Sequence, residues 1–306
     1  MKLSWTHRYC ALLVVLAATA GLAQPPLAEK QEHTNGGQPR PQRVVVLGPV
    51  LTDIVFALGA DEQVVAVDAA SVHPPAAAAK AYLPYYRNLN AEGVLAQRPD
   101  LVLAAEDAAP AHAVAQLRGA GCRFVQLSPA ETFDELWTLI PQVGNYLGRQ
   151  QEASSLVAAL KTKIEGLRAL ALRSHAPPRA LVLFAPGSGT VLAAGRLTAA
   201  DELLRVIGAT NAGTNFLHLK PLGPEAILES DPDWLIVTEQ TVRTLGGVDA
   251  LWQLPGVVRT RAARERHVFT APDVAVLSLG PSSVDSAERL LRAFRGHDLL
   301  QSQGLQ

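Results

Sequence analysis

Two adjacent tyrosines followed by an arginine, Tyr85-Tyr86-Arg87, are the residues of this 306-residue chain that best suit metal or cofactor chemistry. A phenolate oxygen binds a hard ferric ion, and tyrosine is a known axial ligand of haem iron. The neighbouring Arg87 would favour the phenolate or pair with a carboxylate of a ligand. Because neighbours in an extended stretch point to opposite sides, only one of the two phenols is expected to face a cleft. The alternative is that both tyrosines simply pack within a loop.

The chain lacks the sequence motifs of several other kinds of site. No G-x-G-x-x-G motif follows an apolar run, and no Walker, H-E-x-x-H or G-x-S-x-G motif occurs. The eight histidines are scattered without ligand spacing, and Cys10 and Cys122 are the only cysteines. These features argue against an enzyme. The net charge is −1 with no basic block, so no nucleic-acid partner is expected.

Residues 1–42 have the composition of an export signal and a leader. A short basic start precedes an apolar run, and small residues then suit a cleavage site, so residues 1–23 are predicted to be a secretory signal peptide. Residues 24–42 are polar and rich in proline and glycine, and they are predicted to be a flexible leader. An exported protein is therefore expected. No other stretch approaches the length of a membrane span.

Short apolar runs alternate with helix-length segments through residues 43–130. The runs are Val44–Leu47, Val64–Val67, Leu101–Ala104 and Phe124–Leu127. Unbroken apolar strands that alternate with helices are typical of a mostly parallel sheet covered on both faces. This part of the chain is therefore predicted to form an α/β lobe.

A second α/β lobe is predicted over residues 178–306, and a helical connector over residues 131–177. Apolar residues of the connector recur three or four positions apart on one helical face: Leu156, Leu160, Ile164, Leu167 and Leu170. A single helix over residues 150–173 would be about 36 Å long. Two lobes joined by one long helix have little freedom to hinge, so a nearly fixed cleft is expected.

One segment occurs twice, once in each predicted lobe. Residues 92–103 and residues 225–236 both begin with glutamate and place a Pro-Asp pair before an apolar strand. In both segments the glutamate opens a short helix and the proline ends it. This repeat favours two lobes related by duplication.

The run Tyr-Arg-Asn-Leu-Asn-Ala-Glu-Gly-Val-Leu, residues 86–95, resembles the haem-specific substrate-binding proteins of bacterial ABC importers. Between residues 43 and 295, further segments are similar to that family: Leu51–Ala60, Ala66–Ser71, Leu192–Gly195, Pro221–Glu225 and Leu251–Gly256. The resemblance implies two Rossmann-like lobes with mostly parallel sheets, joined by one long connecting helix. It also implies a periplasmic monomer that captures haem (hemin) and delivers it to an inner-membrane ABC permease and its ATPase. Cobalamin and ferric-siderophore binders share the lobe pattern and are the alternative.

The same resemblance assigns the iron ligand. The axial tyrosine of the family falls on Tyr85, in the run Pro84-Tyr85-Tyr86-Arg87, where the family usually has Gly-Tyr-Met-Arg. Because Tyr86 stands where the family has methionine, Tyr86 remains an alternative candidate for the axial ligand. Arg87 keeps the position of the family's arginine and is expected to contact the bound haem.

The second lobe is expected to contact haem as well. A histidine that some members of the family supply there falls on Pro186, beside Gly187 and Ser188, so this second iron ligand is missing. His218 and Lys220, on a loop of the second lobe, are the nearest substitutes. A plain surface role is the alternative for both.

Two glutamates match the positions with which the family docks on its permease. They are Glu92 and Glu225, one in each predicted lobe. Carboxylates at helix N-termini are also favoured by the helix dipole, so a structural role is expected beside the docking role.

Overall fold

The computed structural model of the protein describes residues 40–172, 177–187 and 190–302, with side chains as far as residue 296. The predicted signal peptide, nearly all of the predicted leader and Ser188 lie outside the described residues. Within the described part, no helix combines the length and the apolar composition needed to cross a membrane.

The first lobe is a five-stranded parallel sheet with helices between its strands. Its elements are β1 (Val44–Leu47), α1 (Pro49–Ala57), β2 (Val64–Asp68), β3 (Ala81–Leu83), α2 (Ala91–Ala96), β4 (Leu101–Ala105), α3 (Ala111–Gly119) and β5 (Phe124–Leu127). The strand order is β3-β2-β1-β4-β5. All residues of β1 are buried because helices cover both faces of the sheet, so this strand has no polar alternation.

The connector consists of two helices, α4 (Phe133–Leu147) and α5 (Gln150–Ala171). Thr132 and Glu135 form a capping box at the start of α4, and Gly148 ends it with a φ of 67°. The 22 residues of α5 span about 33 Å. Its buried side chains include three of the predicted apolar positions: Leu160, Ile164 and Leu167. The long connecting helix is therefore confirmed.

The second lobe contains a six-stranded mixed sheet. Its elements are β6 (Arg179–Phe184), β7 (Leu192–Ala194), α6 (Ala199–Val206), β8 (Thr210–Asn211), β9 (Leu219–Pro221), α7 (Pro224–Ser230), β10 (Trp234–Thr238), α8 (Glu239–Leu245), α9 (Val248–Leu251), α10 (Arg261–Glu265), β11 (Val268–Ala271), α11 (Val274–Leu277) and α12 (Pro281–Ser302). The order is β11-β10-β6-β7-β9, with β8 also beside β6. Strands β8, β10 and β11 run parallel within this sheet, whereas β7 and β9 are antiparallel to their neighbours. The prediction of two mostly parallel sheets is confirmed.

The repeated segment makes the same hydrogen bonds in both lobes. The Asp100 carboxylate accepts from the backbone N–H of Arg43 at 2.9 Å, and the Asp233 carboxylate accepts from the backbone N–H of Arg179 at 2.8 Å. The Arg43 side chain also donates to the carbonyls of Gln97 and Arg98, just after α2. The Arg179 side chain donates to the carbonyl of Ser230, the last residue of α7. The second occurrence thus matches the first in structure as well as in sequence.

One apolar cluster runs from the first lobe through the connector into the second lobe. It includes Val46 of β1, Ile140 of α4, Ile164 of α5, Leu204 of α6 and Phe294 of α12. Both lobes and the connector belong to one compact unit. Because wide opening would expose this common core to water, the packing favours the nearly fixed cleft expected from the long helix.

A buried polar contact also joins the two lobes. Asp53 of α1 accepts hydrogen bonds from the backbone N–H and the hydroxyl of Ser282, at the start of α12, at 2.9 and 2.8 Å. Burial raises the pKa of Asp53, and the two hydrogen bonds from Ser282 oppose that rise. Gly280 lies directly against the carboxylate, because a Cβ atom there would be 2.5 Å from Asp53 Oδ2.

We expect Gly280→Ala to lower the free energy of unfolding by about 1–3 kcal/mol, the usual cost of an added methyl group in a closed site. The matched control is Gly166→Ala in α5, where a Cβ would meet nothing within 4 Å. That change should raise the stability by about 0.5–1 kcal/mol because alanine is the better helix former. Urea unfolding followed by circular dichroism measures both values. An unchanged urea midpoint for Gly280→Ala would mean that the contact between Gly280 and Asp53 can adjust to the added methyl group at little cost in stability.

Candidate ligand-binding site

The tyrosine pair lies on a loop directly after β3, at the edge of the first sheet. Tyr85 precedes a short 3-10 helix, Tyr86–Asn88, and its carbonyl accepts from the N–H of Asn88 at 2.6 Å. Tyr86 is 7% exposed and Tyr85 is 40% exposed. The two rings meet edge to face with centroids 4.8 Å apart. The two neighbouring tyrosines therefore occupy different environments.

A buried carboxylate at the end of β2 anchors this loop. Oδ2 of Asp68 accepts from the backbone N–H groups of Ala70 and Tyr86, at 3.0 and 3.4 Å. Its Oδ1 accepts from the N–H of Gly48 and the hydroxyl of Ser71, at 2.9 and 2.5 Å. Asp68 thus ties the tyrosine loop to the end of β1.

Arg87 links Tyr85 to a carboxylate on another loop. One guanidinium nitrogen, Nη1, donates to the phenol oxygen of Tyr85 at 2.9 Å. Nε donates to Oδ2 of Asp107 at 2.6 Å, and Nη2 lies 2.5 Å from the same oxygen. The phenol oxygen of Tyr85 therefore already has a cationic donor on one side.

Tyr86 has different electrostatic surroundings. Burial raises the pKa of its phenol, and the nearby carboxylate of Asp107 raises it further. Arg87, 5.1 Å from the centroid of the Tyr86 ring, opposes the rise. A raised pKa disfavours loss of the phenolic proton of Tyr86, and so disfavours Tyr86 as a phenolate ligand.

A cavity of about 650 Å³ lies between the two lobes. Its first-lobe wall includes Gly48, Tyr86 and Arg87, and the wall is otherwise mainly aliphatic. The loops that reach it leave the carboxyl ends of β1 and β4, which is where ligands bind in open α/β sheets. The volume lies within the roughly 300–1,000 Å³ usual for small-molecule sites. Tyr85 lies beside this wall rather than in it.

The second lobe contributes an apolar strip and one histidine to the cavity. Leu197, His218 and Leu219 all lie on the wall. Leu197 is 70% exposed, and its φ of 58° places it, like His218 at 61°, in the left-handed region. Lys220, next to Leu219 on β9, is exposed but not part of the wall, as strand alternation requires.

The other predicted second-lobe contacts lie away from this wall. Pro186 and Gly187 form an exposed turn after β6, and neither lines the cavity. Ser188 is outside the described residues. The structure therefore brings Tyr86, Arg87 and His218 together around one cavity, with Tyr85 at its rim, but it does not bring Pro186 or Gly187 there.

The two glutamates predicted to dock on the permease occupy equivalent places in the two lobes. Glu92 is in the first turn of α2 and Glu225 is in the first turn of α7. Both side chains are exposed. A carboxylate in the first turn also offsets the positive end of the helix, so a structural role accompanies any docking role.

Several residues at the site were not predicted from the sequence, among them Asp107, Leu197 and Leu219. Asp107, which holds Arg87, follows β4, and its position after a central parallel strand was a usable signal. Leu197 follows the antiparallel strand β7, and nothing in its sequence context indicates a cavity. Among the described residues, no group of three or more histidine, cysteine or acidic side chains could hold a metal ion.

Comparison with known proteins identifies close relatives of this fold. The solved periplasmic haem-binding protein RhuT from Roseiflexus sp. RS-1, in its apo form, is 34% identical with a TM-score of 0.77, covering 83% of this chain and 97% of that one. The uncharacterized ABC transporter substrate-binding lipoprotein YvrC of Bacillus subtilis is 27% identical over 253 residues, 82% of this chain and 79% of its own. The vitamin B12-binding protein of Pectobacterium atrosepticum is 27% identical over 219 residues, 70% of this chain and 77% of its own.

A family model described as periplasmic binding protein matches residues 44–275. The match begins at β1 and ends within α11, so it contains the first sheet, the connector and the whole of the second sheet. One of these similar proteins is named as an ABC transporter substrate-binding lipoprotein, and the other two are named as binding proteins. The family seen in the sequence motifs is thereby confirmed, and the chain belongs to the periplasmic binding proteins.

Proposed function

We propose that this protein binds haem in the cavity between its lobes and delivers it to an ABC permease. The observation that carries the proposal is the tyrosine loop at the rim of an apolar cavity, where Arg87 donates to the phenol oxygen of Tyr85. Haem presents a ferric ion with open axial positions between two flat apolar faces. The tyrosine loop offers a ligand for the ferric ion, and the cavity offers apolar contact for the porphyrin faces.

Tyr85 is the better of the two candidate iron ligands. A phenol oxygen has two lone pairs, so it can accept from Arg87 and still present a lone pair to iron. Its side chain is exposed beside the cavity, whereas the side chain of Tyr86 is buried and its pKa is raised. Tyr86 then forms part of the wall beneath the ligand.

The second lobe supports the opposite side of the porphyrin. Leu197 and Leu219 offer exposed apolar surface, which provides most of the affinity for a flat hydrocarbon face. Because Pro186 replaces the histidine of some relatives, Tyr85 is the expected protein ligand of the iron. Lys220, next to Leu219 on the same strand, is not part of the wall and is not assigned a contact with the porphyrin. His218 lies on the wall and is the candidate for a sixth iron ligand.

Cobalamin or a ferric siderophore is the alternative cargo, since a relative of similar length is named as a vitamin B12-binding protein. The tyrosine loop favours haem for a chemical reason. The cobalt of cobalamin already has both axial positions filled, and a siderophore encloses its ferric ion. Neither leaves the metal open to a tyrosine.

Titration of the purified protein with hemin, cyanocobalamin and ferrichrome tests the proposal. We expect saturable hemin binding with a Soret band and a charge-transfer band of a ferric phenolate. Cyanocobalamin and ferrichrome should not compete for the site. If cyanocobalamin or ferrichrome binds saturably and hemin gives no spectrum of a bound form, that ligand is the cargo instead of haem.

The proposed route of delivery follows from the family. A periplasmic location, with residues 1–23 removed as a signal peptide, places the protein on the face of the membrane where its permease opens. Glu92 and Glu225, exposed at equivalent places in the two lobes, would contact the two halves of that permease. A monomer is sufficient for this, because one chain supplies both contacts.

A further inference from the structure

A carboxylate, a guanidinium and a phenol form a continuous chain of contacts beside the cavity. Asp107 accepts from Nε of Arg87 at 2.6 Å, and Nη1 of the same guanidinium donates to the Tyr85 oxygen at 2.9 Å. The guanidinium is planar and rigid, so the direction of Nη1 is determined once Nε and Nη2 are engaged. Asp107 therefore controls where Arg87 points.

The backbone holds Asp107 in register with the tyrosine loop. The N–H of Ala109 donates to the carbonyl of Tyr86 at 3.0 Å, and the N–H of Leu89 donates to the carbonyl of Ala109 at 2.7 Å. These two hydrogen bonds join the loop after β4 to the loop after β3. The distance between Asp107 and Tyr85 is thus maintained by the fold and does not depend on the arginine.

The ion pair contributes little to folding. The side chains of Arg87 and Asp107 are 53% and 49% exposed. Exposed pairs of this kind contribute little to stability, because water screens the charges and both side chains lose freedom. The Arg87–Asp107 ion pair has little effect on stability, and its arginine donates to the proposed iron ligand. The pair is therefore better explained by its effect on that ligand.

We propose that Asp107 is a positioning residue, which aims Arg87 at the phenol oxygen of Tyr85 and thereby sets the strength of the iron–phenolate bond. This inference rests on the proposed function, in which Tyr85 binds haem iron. A phenolate that accepts a hydrogen bond donates less electron density to iron. When that hydrogen bond is lost, the phenolate becomes a stronger donor, and its charge-transfer band moves to longer wavelength.

The test compares Asp107→Ala and Asp107→Asn in the hemin-loaded protein. Both variants remove the same charge, but only asparagine keeps an oxygen that can accept from Arg87. If Asp107 aims the arginine, Asp107→Ala moves the charge-transfer band to longer wavelength, while Asp107→Asn keeps the band near its wild-type position. The control is Glu106→Ala, which removes an exposed carboxylate one residue earlier, outside the cavity wall.

If Asp107 acts only through its charge, the charge-transfer band moves in the opposite direction. Loss of a nearby negative charge with Arg87 still in place makes the phenolate a weaker donor, so the band would move to shorter wavelength, equally in both variants. That result would overturn the proposal, and so would an unchanged band. An Arg87→Gln background gives a second test, because Asp107→Ala should add no further change there.

Failure of the proposed function is recognised separately. If the wild-type protein binds no hemin, the proposed function is wrong. If its hemin spectrum lacks a phenolate band, the assignment of Tyr85 as the iron ligand is wrong. In both cases the proposed role of Asp107 is wrong as well. If the wild-type band is present and Asp107→Ala leaves it in place, only the positioning role is wrong. Circular dichroism of each variant checks that the fold is retained.

Discussion

Tyr85→Phe is expected to abolish the phenolate charge-transfer band and to weaken hemin binding at least about tenfold, because it removes only the hydroxyl that we propose binds iron. The ring remains, so its edge-to-face contact with Tyr86 and the stability of the loop should survive. Absorption titration with hemin measures the spectrum and the affinity together.

Tyr86→Phe is the matched control for that change. It removes the same group from the adjacent residue, whose side chain is 7% exposed and lies in the cavity wall. The charge-transfer band should persist with only a small change in affinity. If Tyr86→Phe abolishes the band while Tyr85→Phe leaves it unchanged, the iron ligand is one residue later than proposed.

Reversal of charge at both docking glutamates should stop haem uptake while hemin binding remains intact. Glu92→Lys and Glu225→Lys place positive charges where basic residues of a permease would otherwise be engaged, and like charges in such an interface oppose docking. Neither residue lines the cavity. Uptake in cells that require haem as iron source, together with hemin titration of the purified variant, separates the two properties.

The control for that experiment carries the same change in charge elsewhere. Glu62→Lys with Asp249→Lys also reverses one exposed carboxylate in each half of the chain, away from the first turns of α2 and α7. Uptake should remain near the wild-type rate. Normal uptake by the Glu92→Lys/Glu225→Lys variant would show that docking depends on other surfaces.

Several features of the fold follow from short stretches of sequence. The run Val44–Leu47 is a strand with the predicted bounds, because only a central parallel strand buries four consecutive apolar side chains on both faces. Leu160, Ile164 and Leu167 are buried along α5, since the helical period places them on one side. Local patterns of this kind need no knowledge of distant residues.

The antiparallel part of the second sheet was not predicted. Strand β7 is apolar but only three residues long, and β9 is equally short and exposed throughout, so neither could be recognised from the sequence. Their pairing depends on contacts between segments far apart in the chain. It nevertheless decides the site, because this pairing carries Leu197, His218 and Leu219 to the cavity wall.

The sequence by itself determined the family, the two α/β lobes, the long connecting helix and the tyrosine loop, because each depends on residue order within a short segment. Only the tertiary structure decided which tyrosine is exposed, that Asp107 holds Arg87 and that Pro186 lies away from the cavity. These properties depend on distances between loops that leave different strands. Such distances follow from how two sheets pack on one core, and no local pattern encodes them.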